Sequence, residues 1–143
     1  MLRIADRLLR WIASGRDRGW VSLALDLRIS DRDVLAPDVL WYSDRERLEV
    51  DAPAQVVAPE LVVEVRSQST WSYDVGLKRE RYERWGVDEL WLVDTESRSV
   101  LVHRRSAPQA PTFDVALEVG EAQTLRSPLF PGFELPVAVV FAV

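Results

Sequence analysis

Apolar and polar positions alternate along the chain in ways that divide it into short elements. Ile4, Leu8, Trp11 and Ile12 recur at helical spacing, with Arg3, Arg7 and Arg10 on the other side. That spacing predicts an amphipathic helix over 2–14, closed by Gly15. Over residues 21–29 every second residue is apolar, the period of a half-buried strand. Residues 39–42 predict a second strand just after Pro37-Asp38, and 43–59 read as a polar, Pro-containing loop. The run 60–65 (ELVVEV) is almost continuously apolar and predicts a central strand covered on both faces. Residues 67–70 form a polar loop in which Ser69 or Thr70 would cap a second helix over 74–85, ended by Gly86. Residues 90–93 and 100–103 predict a hairpin with its turn at 95–99. Residues 113–119 alternate as a further strand, and 137–143 predict a short helix or strand packed on the core. Helix, strands, helix, strands is the order of an α/β (α+β) domain around a central sheet.

The 143 residues suit a single domain over 1–143. With no cysteine, disulfides, thiol catalysis, zinc fingers and iron–sulfur ligation are excluded, and one histidine, His103, excludes multi-histidine metal sites. No stretch approaches the roughly 20 apolar residues that span a bilayer. The expectation is a soluble, cytoplasmic protein with no membrane partner. A net charge of −5 excludes a strongly basic nucleic-acid binder but leaves room for a local basic patch. Charge is uneven: residues 107–143 hold Arg126 against Asp114, Glu118, Glu121 and Glu134, a region a polyanion would avoid. Of the 18 basic residues, the only lysine is Lys78.

Three side chains stand out as chemistry. Glu64 lies inside the apolar run, where an unpaired carboxylate is costly; such a group is paired, protonated or bound to metal, unless it ends the strand facing solvent or an arginine. Asp38 opens a strand after Pro37, which is also common turn chemistry. Two carboxylates at the ends of neighbouring strands would make an oxygen-rich site suited to Mg²⁺. Lys78 shares a helix side with positions 74, 82 and 85 and points toward the sheet. It would there serve as a compact positive charge, snorkel, or pair with Asp74 or Glu64. His103 reads as a solvent-facing strand residue, Arg104 and Arg105 as a solvated strand end or a phosphate contact, and most of the six tryptophans as core. No dinucleotide loop, NTP loop or nucleophile elbow occurs.

The segments Pro37-Asp38-Val39, Glu60–Val65 and Ser67–Thr70, then Asp74, Lys78 and Tyr82 at four-residue steps, then Gly86–Asp94 and Ser127–Gly132, together resemble the Uma-two family of the PD-(D/E)xK nuclease superfamily. The resemblance implies a restriction-endonuclease-like core, a bent mixed sheet flanked by helices. It implies that Asp38 and Glu64, with the backbone carbonyl of Val65, ligate Mg²⁺ or Mn²⁺. It also implies that Lys78 is the active-site lysine, moved from the strand position now held by Arg66. The expected activity is metal-dependent hydrolysis of DNA phosphodiester bonds, with DNA as partner. The family's usual Glu-Leu-x-Asp-Gly-Glu-type stretch before the first helix is not found, which gives the expectation of a domain shortened at the N-terminus. The alternatives are a degenerate, non-catalytic binding or assembly module and a purely structural Lys78–Glu64 pair. A homodimer is also expected to be within reach, through exposed apolar residues such as Trp41 or Phe141.

Overall fold

The computed structural model of the chain describes residues 1–66 and 71–142, the side chains of 71–74 excepted. In chain order the first elements are α1 (Leu2–Ala13), β1 (Trp20–Leu23), β2 (Leu27–Arg28), β3 (Val34–Leu35), β4 (Val39–Tyr42) and β5 (Leu61–Val65). Then come α2 (Trp71–Trp85), β6 (Glu89–Asp94), β7 (Ser99–Arg104), β8 (Val115–Gly120), β9 (Thr124–Leu125), β10 (Leu135–Pro136) and α3 (Val137–Phe141). Six strands form one mixed sheet in the order β1-β4-β5-β6-β7-β8. All neighbours are antiparallel except β5 and β6, which run parallel because α2 carries the chain back between them.

Successive side chains leave a strand on opposite faces, and both faces of this sheet are covered. On one face Val39, Trp41, Leu61, Val63, Trp91 and Val93 meet Ile4 and Leu8 of α1 and the tail residues Phe130, Phe133 and Val137. On the other, Leu40, Tyr42, Val62, Leu90 and Leu92 meet Tyr82 of α2, Leu27 and Phe113. The near-continuous apolar run at β5 therefore has the reason the sequence suggested: the strand is central and has no solvent side.

The strand expected over 21–29 is two strands. Ala24 takes φ 54° and the chain rolls over. Val21 packs on the α1 face, whereas Leu25, Leu27 and Ile29 pack on the α2 face, where β2 pairs with β3. Residues 43–59 hold a 3₁₀ turn at Arg45–Arg47, and the buried Gln55 amide ties this loop to both backbone groups of Glu49. Phe113 lies before β8 and turns into the α2-side cluster instead of opening the strand. Trp41, expected at an exposed interface, is 4% exposed, because β4 lies between β1 and β5 and its indole sits under α1 and Phe130. Phe141 is half-buried beneath the Arg98 guanidinium. Gly86 at φ +103° ends α2, and both its N–H and that of Val87 return to the Tyr82 carbonyl. This turn sets the phase of α2 against β6.

Candidate active site

Antiparallel pairing of β4 with β5 brings the start of one strand to the end of the other. The Asp38 N–H donates to the Val63 carbonyl at 3.0 Å, and Asp38 Oδ2 accepts the Val65 N–H at 2.7 Å. Asp38 has the parity of Leu40 and Tyr42, and Glu64 that of Val62, so both acids share the α2 face. No described residue donates to Asp38 Oδ1.

Glu64 is 5% exposed and is met from above by α2. The Tyr82 hydroxyl donates to Oε1 at 2.7 Å, and Lys78 Nζ stands 3.2 Å from Oε2. The two partners are four residues apart, one turn of helix, which is why both reach the same carboxylate. Burial pushes the Glu64 carboxyl above its usual range; the Tyr82 hydrogen bond and Lys78 oppose that, and the Asp38 charge adds to it. Burial, reinforced by the Glu64 charge, also holds the Tyr82 proton far more tightly than in a free phenol.

The structure thus brings Asp38, Glu64 and Lys78 to one place. Val65 takes part through its N–H, on Asp38. Arg66, two residues past Glu64, reaches Asp94 at 2.8 Å and Glu96 at 2.6 Å. Ser69, Thr70 and the Asp74 side chain, expected as caps or as a partner of Lys78, lie outside the described residues. His103 is half-buried with its ring 6.3 Å from Phe113, and burial lowers its pKa ahead of the nearby Arg79 charge, with Glu83 opposing. Arg104 and Arg105 are not solvated strand-end residues. Arg105 donates to the carbonyls of Glu83, Val87 and Ala110, and Arg104 lies 2.8 Å from Glu89 and donates to the Arg126 carbonyl.

Two residues were given no polar role by the sequence reading. Tyr82 was read as sharing a helix side with Lys78 and as one of the residues that carry the resemblance, with no partner assigned to its hydroxyl. Glu89, 2% exposed, accepts the Trp91 indole N–H at 2.7 Å. Its register partner is Leu61, so it lies three residues, roughly 10 Å, from Glu64 along the sheet. There a recess of about 210 Å³, lined by Asp88, Glu89, Arg104, Arg105, Pro108 and Pro128, opens away from the Asp38–Glu64 end of the strands. The charged groups best buried in it, Glu89 and Arg104, lie against each other, and Arg105 is taken up by backbone carbonyls.

Among the described residues no cluster of three acidic or histidine side chains forms. Two carboxylates nevertheless fit a hard divalent cation that keeps several waters, since such an ion takes one or two carboxylates. Each carboxylate oxygen has a lone pair beyond the bonds it already accepts.

A profile of the Uma2 family, described as "putative restriction endonuclease", matches residues 2–138. The fold is similar to that of a crystal structure described as a "putative nuclease belonging to DUF820" from Anabaena variabilis ATCC 29413. The TM-score is 0.73 at 18% identity, over 98% of this chain and 78% of the other. At that identity the likeness shows the fold alone, a nuclease-like mixed α/β core. No curated protein matches.

Proposed function

This chain belongs to the Uma2 family, and on that premise we propose that it is a divalent-metal-dependent endonuclease that hydrolyses DNA phosphodiester bonds at Asp38, Glu64 and Lys78. One observation carries the reading. Glu64, at the end of the central strand, is buried, yet its carboxylate lies beside that of Asp38 and under a lysine. Asp38 and Glu64, with the Val65 carbonyl, are the residues that would hold Mg²⁺ or Mn²⁺. When bound, such an ion lowers the pKa of a coordinated water and draws charge from a phosphate oxygen.

The chain's own groups account for the rest. Lys78 Nζ has three donors and uses one on Glu64 Oε2, leaving two for a phosphate oxygen or the attacking water. Its charge offsets the negative charge that develops at phosphorus. Asp38 is fixed by the Val65 N–H through Oδ2, so Oδ1 keeps a defined direction. Arg66 cannot take over the lysine's role, because its guanidinium is committed to Asp94 and Glu96 and does not give up a proton.

A second reading, a nuclease fold retained as a binding or assembly module, is favoured by the pairing of only two acids among the described residues and by the net charge of −5. One experiment separates them. Supercoiled, linear duplex and single-stranded DNA are incubated with the purified chain and Mg²⁺ or Mn²⁺, beside Glu64→Ala and Lys78→Met. Metal-dependent cleavage that both variants lose supports the nuclease. Absence of cleavage on every DNA form, with no rise in Tm on adding metal, refutes it and leaves the binding module.

A further inference from the structure

Two donors hold Glu64, and they are not equivalent. Tyr82 is fully buried, whereas the Lys78 side chain is 34% exposed and can reach solvent. The Tyr82 ring is locked in the same apolar cluster as Leu40, Val62 and Leu92, so its hydroxyl has one direction, toward Glu64 Oε1 at 2.7 Å. A glutamate has three side-chain torsions, and a buried carboxylate held by one mobile lysine would settle in more than one of them. With Oε1 fixed by the phenol, Oε2 is the oxygen left facing Lys78.

We propose that Tyr82 is a positioning residue of this site, whose hydroxyl fixes the Glu64 carboxylate so that the Asp38–Glu64 pair binds a divalent cation tightly. The inference rests on the nuclease reading, because it assigns the metal to those two acids. Tyr82 acts through Glu64 and touches neither cation nor substrate. Groups that orient a metal-ligating side chain commonly contribute about 10–100-fold to metal affinity. Losing the hydroxyl also leaves Oε1 a buried acceptor without its donor, which turns the carboxylate toward other donors.

The test is the Kd for Mn²⁺, by calorimetry, of the wild type, Tyr82→Phe, Glu64→Ala and the double variant, with DNA cleavage followed against Mn²⁺ concentration. The wild type should bind Mn²⁺, and Tyr82→Phe should bind about 10-fold or more weakly. Its cleavage should be depressed at low Mn²⁺ and return to within a few-fold of wild type at saturation. Adding Tyr82→Phe to Glu64→Ala should change nothing further. A folded Tyr82→Phe whose Kd lies within twofold of wild type overturns the inference while the metal site stands. A wild type that binds no Mn²⁺ overturns both. Should Tyr82→Phe fail to fold, wild type labelled with ¹³Cζ-tyrosine takes its place. Added Mg²⁺ should shift Tyr82 and not Tyr42, whose hydroxyl donates to the Val57 carbonyl instead; an unmoved Tyr82 overturns the inference.

Discussion

Replacing Lys78 with methionine keeps the stem of the side chain and removes the charge that faces Glu64 at 3.2 Å. The pair is lopsided: the Glu64 side chain is 6% exposed and that of Lys78 34%, so the acid is committed to the interior while the base can reach water. Two unit charges at that distance attract by about 5 kcal/mol in an effective dielectric of about 20 and by about 1.3 kcal/mol in bulk water, and a lysine one-third exposed falls toward the lower figure. Glu64 itself sets a ceiling. Without its partner the carboxyl can escape by binding a proton. From its ordinary value of 4.5 that costs at most about 3.4 kcal/mol at pH 7 and about 0.7 kcal/mol at pH 5. Burial has already raised the Glu64 pKa in the wild type, so part of this penalty is present before the substitution. The expected loss in Lys78→Met is therefore about 1–3 kcal/mol at pH 7 and under about 1 kcal/mol at pH 5. The direction follows from the raised folded value. The folded state takes up the Glu64 proton first, and the stability it confers is full below about pH 4.5 and lost as pH rises through the folded value. Without Lys78 that value climbs further, so the variant falls behind the wild type progressively with pH. Urea unfolding of both proteins at pH 5, 6 and 7, in EDTA and at constant ionic strength, measures the difference. A loss that does not change with pH, or that exceeds about 3.4 kcal/mol at pH 7, refutes the reasoning.

Asp94 behaves in the opposite sense. Burial acts to raise its pKa, but the hydrogen bonds from Arg66 and from Ser97 and Glu96 prevail and hold it at about 2. The stability it contributes is present above its ordinary 3.8 and disappears as pH falls through about 2, so Asp94→Asn should flatten that part of the acid-unfolding curve followed by circular dichroism. Trp91→Phe preserves an aromatic ring in the core but leaves Glu89 Oε2 without its indole donor. It should lower stability by about 1–3 kcal/mol in urea unfolding, and a change under about 0.5 kcal/mol would show that Glu89 finds another partner. Arg105→Lys keeps the charge but cannot reach the carbonyls of Glu83, Val87 and Ala110 together. A fall in Tm with an unchanged Mn²⁺ response is expected, and a weakened Mn²⁺ response would mean that this anchor couples to the Asp38–Glu64 end.

The sheet was legible wherever one residue's neighbours along the chain decide its face. The β5 run is apolar on both parities because the strand is central, and the turn at Gly86 is marked by the one residue type that accepts φ +103° without strain. The break between β1 and β2 left no such mark. Val21, Leu25 and Leu27 keep the same parity, and what separates them is a change of face produced by Ala24 and by the pairing of Arg28 and Asp26 with Gln55, some thirty residues on. Trp41 failed for a related reason. Its exposure depends on whether β4 lies at the edge of the sheet, and that is settled by β1 pairing beyond it.

Legibility of the site follows the same logic, one side chain at a time. Glu64 was visible because a carboxylate inside an apolar run is expensive wherever the run folds, and Lys78 because helical phase alone turned it to the sheet. Tyr82 was hidden by its dual nature. Its ring satisfies the apolar stripe completely, so the pattern had no remainder to explain, while its hydroxyl meets Glu64 only once α2 is laid across β5. Glu89 was hidden by a boundary: β6 begins at residue 89 and not at 90, and that single residue moves a carboxylate from a turn into the sheet beside Trp91. Both hidden residues are polar groups whose partners are distant in sequence. An apolar pattern registers what leaves water, whereas the donors that make a buried carboxylate tolerable are chosen by tertiary geometry. For this chain Asp38, Glu64 and Lys78 could thus be singled out from the sequence, but the contact of the Tyr82 hydroxyl with Glu64 could be read only from the fold.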